Sequence, residues 1–429
     1  MLRVDRLSIY IVMFGLIFLI PSVYMFDKTD ELTACMLIAL AGIDMISNGN
    51  FRKYKGFLWL VAILTAYGIY SLYLPYNKPE YILVDWLIQI KSFACFFILF
   101  AINPQFTERD KHWIKNICAF NMIVLCAALC CGWDVTMLLV FHPAYAGTII
   151  FTSACFYVYV SIDEEGRVPR KVIRNVVMAL VVGCLCLKAK YFGMMVLVAY
   201  FIFLYKPGVM RNFSPVHLFT ILIICSGVLA VSWNKINYYY IQGEAESFDP
   251  EAIYSYARPV MFMTGGLILV DHFPFGTGLA SFGTAASQPG FNYSNVYYEY
   301  GIDKVHGINP NSEESFICDA FFPELAQFGV VGLILFIVFW VWAYSFLRPM
   351  ARYYIKQYRP QFIIGSCIII FLLLESTAAT TIVHTVGLEC LSLLGIICAT
   401  GRTLKNRHTI EESKELQPQS TTPQQLYKI

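Results

Sequence analysis

Long apolar runs separated by short polar breaks fill most of this chain. Runs close to the length that crosses a bilayer as a helix, about 20 residues, fall at 8–26, 31–48, 57–76, 81–102, 113–131, 144–162, 172–187, 191–205, 216–233, 323–345, 361–376 and 382–400. This pattern predicts an all-α polytopic membrane protein with about twelve transmembrane helices. One connection departs from it. Between the ninth and tenth runs lies a long polar stretch, Asn234 to Phe322, rich in Tyr, Gly, Pro and acid. The expected organisation is a single transmembrane domain over 1–400, interrupted by the loop 234–322. It is followed by a polar tail over 401–429 whose Gln, Ser, Thr and Pro content reads as disordered.

Composition agrees with that pattern. Only 14% of the residues are charged, against about 25% in soluble domains, and the mean hydropathy is +0.60. A net charge of +2 provides no global field for nucleic acid, which sets that class of partner aside. The 14 cysteines fall almost entirely inside apolar runs, where they act as small hydrophobes. No pair has zinc-site spacing, so neither a metal nor a cofactor is expected. Arg3 and Arg6 precede the first apolar run. That run is longer than a signal-peptide core and no small-x-small cleavage site follows, so it reads as an uncleaved first span.

Charge sets the orientation. If 172–205 is a hairpin turning at Lys188-Ala189-Lys190, roughly three quarters of the 31 Lys and Arg fall on one side, as the positive-inside rule requires. Both termini are then cytoplasmic and the long loop is external. A single overlong helix would turn the Arg348 to Arg359 cluster outward.

The loop is acidic, and most of its carboxylates read as a solvated face. Its cations are Lys235, Arg258 and Lys304. Arg258 precedes an apolar stretch, Pro259 to Val270, that predicts a short helix at the membrane surface. A guanidinium there is suited to clamp a phosphate bidentately or to pair with a loop acid. Lys188 and Lys190 sit at a tight external turn, as snorkelling span ends or as contacts to a lipid-linked phosphate. Lys91 and Asp85 lie in the fourth run, where charge is costly and is usually paired or functional. Their spacing puts them on different helix faces. The tyrosines Tyr238, Tyr239, Tyr240, Tyr254, Tyr256, Tyr293, Tyr297, Tyr298 and Tyr300 suit either sugar stacking or an interfacial belt. His142, His272, His306 and His384 are candidate bases, though a lone histidine is more often structural.

From Tyr254 to Phe336 the chain resembles the O-antigen polymerase and O-antigen ligase family of membrane glycan enzymes. Arg258, a short helix and then Pro274-Phe275-Gly276-Thr277-Gly278 through Phe282 are similar to the family's arginine–helix–P-x-G-x-G signature. Asp319 to Leu333 resembles the stretch ending in G-x-x-G, here Gly329 and Gly332, that opens the helix after the loop. Lys190-Tyr191, with Gly193, resembles a variant of the family's Ser-Arg-Gly turn. Cys318 and Asp319 stand where the family's ligases place a His-Asn pair, which favours a polymerase.

The resemblance implies a glycosyltransferase of the bacterial cytoplasmic membrane. It would join polyprenyl-diphosphate-linked oligosaccharides on the outer side, beside membrane lipid and with a chain-length regulator protein as a partner. Arg258 and Lys190, then Lys188 and Lys304, are the candidates to neutralise diphosphate. Gly276 and Gly278 are candidates to turn backbone N–H groups toward it. His306, Asp319 and Glu324 are the candidate bases. The alternatives are a ligase moving finished glycan to a lipid acceptor, and a lipid-linked glycan flippase.

Overall fold

The computed structural model describes residues 3–23, 28–200, 226, 257–312 and 314–415. The predicted ninth span, the end of the eighth and the loop's first part, with Lys235, Tyr238, Tyr239, Tyr240, Tyr254 and Tyr256, lie outside the described residues. Those described are helical, with no strand among them. The helices are α1 (Val4–Ile17), α2 (Thr29–Asn48), α3 (Lys55–Leu72), α4 (Pro79–Ile102), α5 (Glu108–Cys131), α6 (Trp133–Val140), α7 (Pro143–Tyr159), α8 (Arg170–Gly183) and α9 (Ala189–Ala199). After the gap come α10 (Ala257–Asp271), α11 (Asn295–Glu299), α12 (Phe321–Glu324), α13 (Gly329–Arg352), α14 (Ile355–Glu375) and α15 (Thr385–Glu415).

Six helices among the described residues are long and apolar enough to cross a membrane, or seven if the bent pair α6–α7 is one span. These are the helices of a multi-pass membrane protein. The pair bends by 69° where Phe141 takes φ 52° and Pro143 opens the next helix. The span expected at 144–162 is therefore the longer arm of a broken element. The expected turn near Lys188 is present: Leu187 adopts left-handed backbone and α9 begins at Ala189, packing chiefly against α14. One expectation needs correction. The tail expected to be disordered from 401 begins as helix, because α15 continues through Glu415. Arg402 anchors this extension by donating to the Phe100 carbonyl at 3.0 Å with its guanidinium over the Phe100 ring.

α15 is the central helix. Leu388, Leu391, Leu394 and Ile397 are wholly buried, and its most extensive contact is with α4. α4 starts on Pro79, where a missing N–H costs nothing, and stops at Asn103 in left-handed backbone. It also packs on α2 and α3, which makes it the partition between the two sides of the bundle.

The described part of the loop is folded. Val260, Met261 and Ile268 of α10 pack with Phe282, Val296, Tyr297, Ile302 and Ile308 in a core of their own. Tyr297 is fully buried, and its hydroxyl accepts from the Gly283 N–H at 3.0 Å and bonds Ser287 at 2.8 Å. Burial pushes its phenol well above the usual range. Of the tyrosines proposed for sugar stacking, this one is spent on the loop's interior, whereas Tyr298 is exposed.

Candidate functional site

The turn at 274–283 seats the loop on the bundle. Gly276 and Gly329 both take positive φ, 74° and 62°, and a Cβ on either would collide with the other's backbone. Only glycine allows this approach. Tyr70 donates to the Gly276 carbonyl at 2.9 Å, and Val331 N–H to the Pro274 carbonyl at 3.1 Å. The Gly276 and Gly278 N–H groups donate to the His272 and Gln327 carbonyls, at 2.8 and 2.9 Å. The phosphate-cradling role expected of Gly276 and Gly278 is therefore replaced by a structural one. Their donors are already satisfied, and the glycines lock the loop to the start of α13.

Beneath this turn is a buried carboxyl pair. Asp85 of α4 accepts from the Ala280 N–H at 2.7 Å, from the Thr284 hydroxyl at 2.5 Å and from the Gln89 amide at 3.1 Å. The same Gln89 amide donates to Glu324. Asp85 and Glu324 are almost wholly buried. Phe321 and Phe322 hold the short α12 in place by donating their N–H groups to the Ser376 carbonyl.

Glu324 also lines a cavity of about 540 Å³. Lys28, Asp30, Glu31, Lys91, Tyr145 and His384 share that lining, and the loop residues Ala285, Ala286 and Phe291 complete it. Lys91 pairs with Asp30 at 2.5 Å and with Glu31 at 3.3 Å, not with Asp85, as its helix face requires. His384 shares a hydrogen bond with Thr380 at 3.2 Å.

Two further ion pairs flank the cavity. Lys190 binds Glu375 at 2.6 Å, and Thr381 donates to the same carboxylate oxygen at 3.0 Å. Arg258 binds Asp319 at 2.7 Å, each side chain 38% exposed. Tyr145, in the cavity wall, lies within electrostatic reach of both Asp319 and Glu375. The Arg258 Nε is buried and has no hydrogen-bond partner among the described residues. Cys318 donates to Gln288. Burial, reinforced by Glu324, Asp85 and Asp319, pushes its thiol well above the usual range. A thiolate nucleophile at that position is thereby disfavoured.

The sequence candidates thus separate. Glu324 lines the cavity, while Arg258, Asp319 and Lys190 flank it. Lys188 lies 3.2 Å from the His142 ring, and neither residue is part of the lining. His306 and Lys304 are exposed on the loop and also lie outside the lining. Gln89, Thr284, Asp30 and Glu375 were missed. Glu375 is a lone acid in an apolar run, which is a readable signal; Gln89 and Thr284 carry none. Glu389 of α15 was missed too. It is wholly buried, with no hydrogen-bond partner for either oxygen among the described residues, and it packs against Gly15.

No known family model matches this chain, and no curated protein does.

Proposed function

We propose that this protein is a surface-polysaccharide polymerase with about twelve spans and an external loop. It would join polyprenyl-diphosphate-linked repeat units outside the bacterial cytoplasmic membrane. The observation that carries this reading is the loop-covered cavity, where Lys28 and Lys91 share one space with Glu324 and His384. Such a site supplies a carboxyl group for a proton, with the cations Arg258 and Lys190 at its flanks for a diphosphate.

In the reaction, a sugar hydroxyl of one unit attacks the anomeric carbon of the other chain. The new C–O bond forms as the bond from that carbon to the diphosphate oxygen breaks. The electron pair leaves on the diphosphate, and the hydroxyl proton passes to the base. The leaving group is already good, so the protein mainly positions the reactants and neutralises charge. Glu324 is the base on this reading. It reaches the cavity, whereas Asp319 is held by Arg258 and His306 is not part of the lining. Arg258, paired with Asp319, and Lys190, paired with Glu375, serve the diphosphate from the cavity's flanks.

The test is complementation of a deletion strain with Arg258→Ala and, separately, Glu324→Gln, with membrane expression monitored and glycan length read on a gel. Both variants are expected to leave single repeat units on the surface in place of long polymer. Long polymer of normal length from Arg258→Ala overturns the assignment. Polymer that accumulates on the carrier lipid in the deletion strain points to a ligase. Loss of all export points to a flippase.

A further inference from the structure

The opposite face of α4 borders a second space. A groove of about 570 Å³ runs between α3, α4 and α13, lined chiefly by apolar and aromatic side chains such as Phe93, Phe97, Phe336 and Trp342. Gln89 is at one end, beside the buried carboxyl pair. At the other end are Arg52, Lys53, Lys55 and Arg402.

The charge at that basic end is not balanced. Asp44 takes up Lys53 at 2.9 Å and also accepts from Tyr54 and Asn48. Arg402 is held by a carbonyl and a ring, neither of which neutralises it. Arg52 and Lys55 are exposed and form no ion pair among the described residues. Three cations therefore converge where an aromatic channel ends. The surface flanking the channel is apolar: Trp59, Val338 and Val341 are 60%, 54% and 65% exposed. An aqueous partner would leave that surface wet, whereas a bilayer covers it. Trp59 stands near the cations, where an indole marks the headgroup level.

We propose that this groove is a binding site for an anionic phospholipid. Its acyl chains lie along the aromatic channel, and its phosphate sits among Arg52, Lys55 and Arg402. The occupant is distinguished from a polyprenyl diphosphate by position. The charged cavity suited to a diphosphate lies across α4, and the Gln89–Glu324 contact closes the groove toward it.

The full-length protein in neutral detergent would be exposed to equal amounts of phosphatidylglycerol and phosphatidylcholine, and retained lipid counted by native mass spectrometry. Phosphatidylglycerol is expected to be retained in preference, less so as salt rises. The double variant Arg52→Gln/Lys55→Gln is expected to cut that preference about tenfold or more, since each cation near an anionic lipid is worth about 1 kcal/mol. Ile63→Trp, which fills the channel and leaves the cations, is expected to reduce retention of both lipids. Unfolding midpoints of the variants identify any that fail to fold. Equal retention of the two lipids overturns the proposal. So does displacement of phosphatidylglycerol by equimolar polyprenyl phosphate, or an unchanged preference in a folded double variant.

Discussion

The two faces of α4 solve opposite problems. One carries Val84, Leu87, Ile88 and Lys91 into the charged cavity. The other carries Gln89, Phe93, Phe97 and Phe100 along the apolar groove. On the cavity side charge is buried and matched by charge, as Lys91 is by Asp30. On the groove side cations stay at the open end and aromatic rings pack edge to face, Phe93 on Phe339 at 5.1 Å and Phe97 on Phe339 at 5.9 Å. The first arrangement is rigid and intolerant of loss. The second tolerates exchange of its charges, because solvent and headgroups can replace them.

Removing charge from each face tests that contrast. Lys91→Met is expected to have the largest effect. It strands Asp30, which is 2% exposed, and should cost about 3–5 kcal/mol, read as a lowered unfolding midpoint in detergent. Adding Asp30→Asn should recover most of the loss. A double variant no more stable than the single one would show that the pair is not what holds α2 to α4.

Between the extremes lies the seat of the loop. Gly276→Ala forces a side chain into positive-φ backbone against Gly329 and should cost about 1–3 kcal/mol. Hydrogen exchange should then rise in both 274–283 and 325–331. Exchange confined to one segment would break the claim that the two are clasped together.

The smallest effect is expected on the groove side. Lys53→Met removes a partly exposed partner of Asp44, which keeps its Tyr54 and Asn48 donors. Asp44 is itself buried, but with those donors kept the cost should stay below that of Lys91→Met, at about 1–3 kcal/mol. A larger loss would make the basic end a stability element and weaken the contrast between the faces.

The sequence made the spans legible where apolar runs were long, as in α3, α4, α5 and α13. It also showed the break near Lys188 and the short helix after Arg258, because caps and periodicity are local. The bend at Phe141 was not visible, since α6 falls in the connection before the run at 144–162 and only the backbone at Phe141 joins the two as one broken element. The same limit applies to the site. Arg258 and Glu324 stood out by chemical type, but the union of Asp85 with Ala280 and Thr284 joins residues nearly two hundred positions apart, and no local pattern encodes it. Gly276 and Gly278 were found for a sound reason, their backbone freedom. Where their N–H groups point is decided by Gln327 and His272, so the role assigned to them failed.

The buried Tyr297 has a consequence for access. A loop with its own interior does not fray residue by residue; it opens as one cooperative unit or stays shut. Any movement of the cavity wall formed by Ala285, Ala286 and Phe291 therefore carries a whole folded body with it. That wall then shifts as one piece, by an amount set by how firmly one turn of glycines grips the bundle.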